Sequence, residues 1–143
     1  MYTYHPVVEI LVKSFGTTPE SLEPLHEQLL AYRENTDGLK DALLKHNVTS
    51  ETAFQQALAS YYELDYRESF NDIPVVREYT EIIPIRYAKK NIFFPLKKEK
   101  NTLEVAITNP ELSQPLDDLA RHFKCHIALV LSHKQAVLDL INR

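Results

Sequence analysis

The chain has 143 residues, of which 44% are hydrophobic and 25% charged, with a formal net charge of −4, values ordinary for a globular protein with one fair-sized core or two small ones. No apolar run approaches a membrane span, Met1–Pro6 has no signal-peptide character, and so small a charge points to no nucleic-acid partner. The lone Cys125 excludes an internal disulfide and fits a reducing cytosol. The two glycines, Gly16 and Gly38, cannot build a Walker loop or a dinucleotide fingerprint, so this chain alone is expected not to hydrolyse ATP.

From the amino terminus, Val7, Val8, Leu11, Val12 and Phe15 form a helical stripe over Tyr4–Phe15, with Gly16 at the left-handed position after it. Thr17-Thr18-Pro19-Glu20 matches a capping box, and Leu22, Leu25, Leu29 and Tyr32 continue a second stripe. Pro24 conflicts with that helix and requires either a later start at Ser21 or a kink. Residues 35–38 read as a loop, and Leu39–His46 as a short helix closed by Asn47. Thr49 or Ser50 then starts a helix that turns Ala53, Phe54, Ala57, Leu58 and Tyr61 inward. Helix, cap, Thr or Ser, helix thus occurs twice, over residues 9–28 and 41–61, as a weak internal repeat.

Beyond Tyr62 the pattern changes. Leu64–Phe70 suits an edge strand, and Val76, Tyr79, Ile82 and Ile83 suggest a helix that Pro84 interrupts, with Tyr87 and Ala88 in a further turn. Ile92–Leu96 and Leu103–Thr108 are apolar runs joined by the polar residues 97–102, a hairpin expected to set Phe94 and Leu96 opposite Val105 and Leu103. Pro95 cannot donate to a ladder and belongs at an edge or a bulge. Ser113 caps a helix with Pro115 and Asp117-Asp118 in its first turn, His126–Leu131 alternates as a third strand, and Ser132-x-x-Gln135 caps a last helix. The expected fold is α+β. A helical subdomain over 1–63 precedes a small α/β sandwich over 64–143 with a three-stranded, largely antiparallel sheet. Charge divides in the same sense: residues 1–75 hold 12 acidic and 5 basic side chains, residues 76–143 hold 8 and 11.

Few side chains suggest chemistry. Cys125 with His122 or His126 has the types of a nucleophile pair or a metal site, but no clear fourth ligand. The simpler reading is a surface junction with two solvated histidines. Asp117-Asp118 resembles an acid/base pair, although helix-start electrostatics already accounts for it. Arg86, Lys89, Lys90, Lys97, Lys98 and Lys100 form a basic segment opposed by Glu99. It suits an anionic partner, or more simply a solvated helix end and hairpin tip that protects an edge. Among eight tyrosines, Tyr32, Tyr61 and Tyr62, with Arg33, have the residue types of partner anchors.

The ordered set LKDALLKHNVTSETAFQQALASYYELDY (39–66), Ile83-Pro84, Ala88, Phe94-Pro95-Leu96, Leu103-x-Val105-Ala106, Asn109-Pro110, Leu116-Asp117-Asp118-Leu119 and Ile141-Asn142 resembles the N-terminal domain of type II secretion and type IV pilus assembly ATPases. The resemblance runs from about Leu39 to the end and is looser over 1–38. It implies a noncatalytic docking domain that binds the cytoplasmic domain of an inner-membrane platform protein, the L component. The motor is thereby held at the cytoplasmic face of the inner membrane. ATP and Mg would belong to the remainder of the ATPase, hexameric at full length. Some relatives instead bind cyclic di-GMP through two copies of an Arg/Lys-Leu-Gly helix motif ending in Gln, which implies an alternative regulatory reading with Lys40 and Gln28 as nucleotide contacts. Here the second copy has Lys40 at its glycine position and Tyr61 at its glutamine position. The first has Val7-Val8 near Leu-Gly and keeps Gln28. A lysine side chain obstructs the close backbone approach that glycine allows.

Overall fold

The computed structural model describes residues 4–74 and 76–143. The first three residues, part of the segment read above for leader character, lie outside them. The chain forms two compact units, Met1–Glu63 and Leu64–Arg143, and no helix among the described residues is long and apolar enough to cross a membrane.

The first unit is helical. Its elements are α1 (Pro6–Ser14), α2 (Pro19–Leu22), a 3₁₀ turn (Glu23–Leu25), α3 (His26–Ala31), α4 (Thr36–Lys45) and α5 (Glu51–Tyr62). Val7, Leu11, Leu29, Leu39, Leu43, Phe54 and Ala57 are fully buried, and α1 packs along α5. The expected stripes bury Val7, Val8 and Leu11 of α1 and Phe54, Ala57 and Leu58 of α5, but Tyr61, expected to turn inward, is exposed because it sits in the last turn of α5, at the end of the stripe. Pro24 produces the kink: its 3₁₀ turn breaks the second stripe into α2 and α3. Gly16 takes φ +77°, and the Thr17 amide closes onto the Leu11 carbonyl at 3.2 Å.

Three local readings need correction. The first helix begins at Pro6, not Tyr4, because the imidazole of His5 is its cap. The second is capped by Thr18 rather than Thr17, its hydroxyl accepting from Ser21 N at 3.3 Å. Residues 35–38 are not a loop. Asn35 Oδ1 accepts from Gly38 N at 3.0 Å, so this segment is the cap and first turn of α4. At the other end Asn47, at φ +56°, ends α4, and Ser50 Oγ accepts from Ala53 N at 3.1 Å to start α5.

The second unit runs β1 (Asp65–Tyr66), α6 (Arg77–Ile82), α7 (Ile85–Asn91), β2 (Phe93–Glu99), β3 (Thr102–Ile107), α8 (Gln114–Phe123), β4 (His126–Leu131) and α9 (Lys134–Ile141). The edge strand expected over Leu64–Phe70 shrinks to the two residues of β1. The sheet is four-stranded and mixed, in the order β1-β4-β3-β2, which corrects the three-stranded, largely antiparallel expectation. The hairpin β2–β3 is antiparallel, but β4 runs parallel to both β3 and β1. The reason is α8. A helix between two adjacent strands carries the chain back to its starting end, so the second strand repeats the direction of the first.

Pro95 does sit on an edge strand and beside a bulge. The hairpin register differs from expectation, pairing Phe94 with Ala106 and Pro95 with Val105, then Lys97 with Glu104. The bulge absorbs Leu96, and the turn tightens to Lys100-Asn101 with Lys100 at φ +55°. Leu103, Val105 and Ile107 fill one face of β3, opposite Ile127, Leu129 and Leu131 of β4. Phe94, Ala106 and Val130 are buried on the other face. Two caps also differ. Ser113 occupies the N-cap position of α8 without a side-chain cap bond. The α9 cap is His133 Nδ1, accepting from Ala136 N at 3.4 Å, while Ser132 is buried.

With glycine scarce, the left-handed turns fall on Asn47, Glu63, Ile92, Lys100 and Lys124. A left-handed non-glycine residue costs roughly 1–2 kcal/mol. Lys124 ends α8 at φ +51° with an exposed side chain, so glycine there removes strain and little packing. Lys124→Gly is expected to stabilise the chain by about 1 kcal/mol in urea titration; destabilisation would show that the lysine side chain matters more than its backbone.

Candidate functional site

In the helical unit two of the four candidate docking residues, Tyr61 and Tyr62, meet at one helix end. Tyr61, in the last turn of α5, is 43% exposed, which sets it apart among the large apolar side chains of the unit's described residues. Its ring meets His5 edge-on at 5.3 Å between centroids and Tyr62 at 4.9 Å. His5 is buried and its Nδ1 accepts from Val7 N at 3.1 Å, so one imidazole both caps α1 and supports the Tyr61 ring. A nitrogen that accepts there carries no proton, which fixes the neutral Nε2–H form. Tyr4, beside His5, bonds through its hydroxyl to His26 Nδ1 and stacks edge-on against that ring at 5.5 Å. Held rings lose little freedom on binding, which is what a partner anchor requires.

Tyr32 stands elsewhere in the unit. It ends α3 half-buried, and its ring lies close to Gly38: a Cβ at Gly38 would come within 2.5 Å of Tyr32 Cδ1. The Tyr32 ring therefore leaves no room for a side chain at Gly38. Arg33 is exposed beside it. Lys40 is only 15% exposed at its side chain, with Nζ 3.0 Å from Glu51 Oε2, tying α4 to the first turn of α5. Gln28 is exposed on α3, its backbone carbonyl accepting from Tyr32 N at 2.9 Å. Tyr61 and Tyr62 are thus brought together, whereas Lys40 is engaged in an ion pair.

In the second unit the candidates for chemistry stay apart. Cys125 is half-buried at the helix-to-strand junction, donating its amide to Ala120 O at 3.2 Å. His122 and His126 are exposed on either side of it. Among the described residues no three His, Cys, Asp or Glu side chains are grouped to hold a metal ion. Asp118 accepts from Gln114 Nε2 and Arg121 Nη2, each at 3.0 Å, while Asp117 is exposed; both belong to the start of α8. In the basic segment Lys97 lies 3.2 Å from Glu99, whose hydrogen bond holds the ammonium pKa above its usual value.

Sequence reasoning missed His5 and Glu51. The first had a signal, since the residue before a helix-opening proline is the cap position. The second had none, because its partner lies 11 residues away across a turn.

Comparison with known proteins places this architecture. No curated protein matches the sequence. The family model of the MshEN domain matches residues 62–143, more than half the chain. The chain belongs to the MshEN domain family. Solved structures extend the likeness over both units of this MshEN domain. A structure of MshE with cdg has a TM-score of 0.72 at 19% identity, covering 96% of each chain. The N-terminal domain of XpsE matches with a TM-score of 0.60 at 19% identity, over 96% of this chain and 93% of that one. In a second crystal form it gives 0.68 at 20%, over 95% and 91%. At such identities the structures show the fold. With the family match, they identify the N-terminal domain of the type II secretion and type IV pilus ATPases, as the resemblance implied.

Gly38→Ala gains up to about 1 kcal/mol of helix propensity but drives a methyl into the Tyr32 ring, an overpacking worth roughly 1–3 kcal/mol. The melting temperature should fall and Tyr32 should become more accessible to a fluorescence quencher. A rise in melting temperature would mean that Tyr32 is not held by this backbone.

Proposed function

We propose that this domain is a noncatalytic docking module of a type II secretion motor ATPase that binds the cytoplasmic domain of an inner-membrane platform protein, the L component. It thereby recruits the motor to the cytoplasmic face of the inner membrane. The observation that carries this reading is the preorganised Tyr61 ring, exposed yet stacked on His5 and Tyr62. Exposed aromatic side chains with fixed orientation are the residues on which protein interfaces concentrate their energy. The likeness to the N-terminal domain of XpsE supports it at the level of fold. ATP and Mg then belong to the remainder of the motor.

A second reading has a specific observation in its favour, the likeness to MshE solved with cdg. In it this chain is a cyclic di-GMP-binding regulatory domain with Lys40 and Gln28 among its contacts. Against it stands the Lys40–Glu51 ion pair, which a nucleotide phosphate would have to displace from a mostly buried position.

Calorimetry with the platform protein's cytoplasmic domain tests the first reading. Binding should weaken at least about tenfold in Tyr61→Ala, the effect of losing a central aromatic anchor. Absence of binding by the wild-type chain would overturn it. For the second reading, cyclic di-GMP is titrated into the wild type and Lys40→Gly. Docking predicts no heat in either, and saturable binding by the wild type would favour the sensor instead.

A further inference from the structure

The second unit contains a cleft that neither reading uses. Pro84 turns the chain between α6 and α7, and α8 lies across from that corner. Between them is an apolar cleft of about 260 Å³ lined by Ile83, Tyr87, Phe93, Pro115 and Leu119, with Asp118 and His122 at its mouth. Tyr87 is held there by edge-on contact with Phe93 at 5.7 Å, and Asp118 lines the same cleft. The volume falls below the roughly 300–1,000 Å³ of small-molecule sites, so the cleft suits one or two side chains of a partner rather than a free ligand.

Charge decides which partner. Arg86 and Lys90, four positions apart, share one face of α7, and Lys90, three positions after Tyr87, is its neighbour on the helix surface. Both are exposed, and among the described residues neither is ion-paired. Helix α7 carries no acidic residue, and the carboxylate at the mouth, Asp118, is already engaged by Arg121 at 3.0 Å. An apolar slot beside unmatched cations complements a helix with aliphatic anchors on one face and carboxylates along its edge.

We infer that this cleft docks an acidic amphipathic helix of a partner protein, independently of the surface around Tyr61. The test is a nuclear magnetic resonance titration of the isotope-labelled full chain with two model helical peptides, one of leucine and glutamate and one of leucine and lysine. The acidic peptide should shift the amides of Tyr87, Phe93, Leu119 and His122 and leave those of α1 and α5 unmoved; the basic peptide should not. In the doubly substituted Arg86→Glu, Lys90→Glu chain, whose exposed changes spare the core, affinity for the acidic peptide should drop at least about tenfold. No binding of the acidic peptide, equal binding of both peptides, or shifts confined to other surfaces would overturn the proposal. So would concentration-dependent broadening of the cleft amides without peptide, which would assign the cleft to a second copy of the chain.

Discussion

The parallel pairing of β3 with β4 is the constraint on which the second unit depends. Two adjacent parallel strands cannot be joined by a turn, so residues 108–125 must leave the sheet, cross it and return. That crossing is α8. Its apolar residues Leu116 and Leu119 are buried and the helix packs on β4, beside which Leu103, Val105 and Ile107 of β3 are each fully buried. Pro115 and Leu119 of the same helix also line the cleft beside the α6–α7 corner. The strand β3 is therefore bonded on both edges, and Leu103, Val105, Ala106 and Ile107 are buried on its two faces.

The helical unit solves a different problem. Its short helices gain little from propensity and depend on their ends and on mutual packing. His5, Thr18, Asn35 and Ser50 each cap a helix start, and Gly16 and Asn47 turn the chain at helix ends. The two halves of the weak repeat thus share a mechanism, a left-handed residue followed by a hydroxyl cap, one residue out of step. The same devices position the candidate side chains: the imidazole that caps α1 also contacts the Tyr61 ring, and the helix start at Asn35 brings Gly38 against the Tyr32 ring.

Much of this was legible in the residues. The stripes of Val7–Leu11 and Phe54–Leu58, the hairpin, and the edge placement of Pro95 follow from periodicity and from the missing proline donor. Strand direction did not emerge from alternation, which is the same for parallel and antiparallel partners. The signal that could have given it was the helix between Leu103–Thr108 and His126–Leu131, since strand, helix, strand implies a crossover. The register slipped because a bulge at Pro95 leaves no mark beyond the proline itself. Among the candidate site residues, Tyr61 and Tyr62, singled out by type, are in ring contact. The pairing of Lys40 with Glu51 depends on how α4 meets α5, which no local pattern encodes.

The central claim is that the domain works by presenting held side chains on folded surfaces, with Tyr61 and its supports as the docking surface. Hydrogen exchange of the full chain with and without the platform protein's cytoplasmic domain tests it most directly. The account predicts slower exchange in peptides covering His5–Val8 and the last turn of α5, with β3 unchanged. Unchanged exchange at those peptides under saturating platform protein, or protection confined to the Lys40 turn, would contradict it.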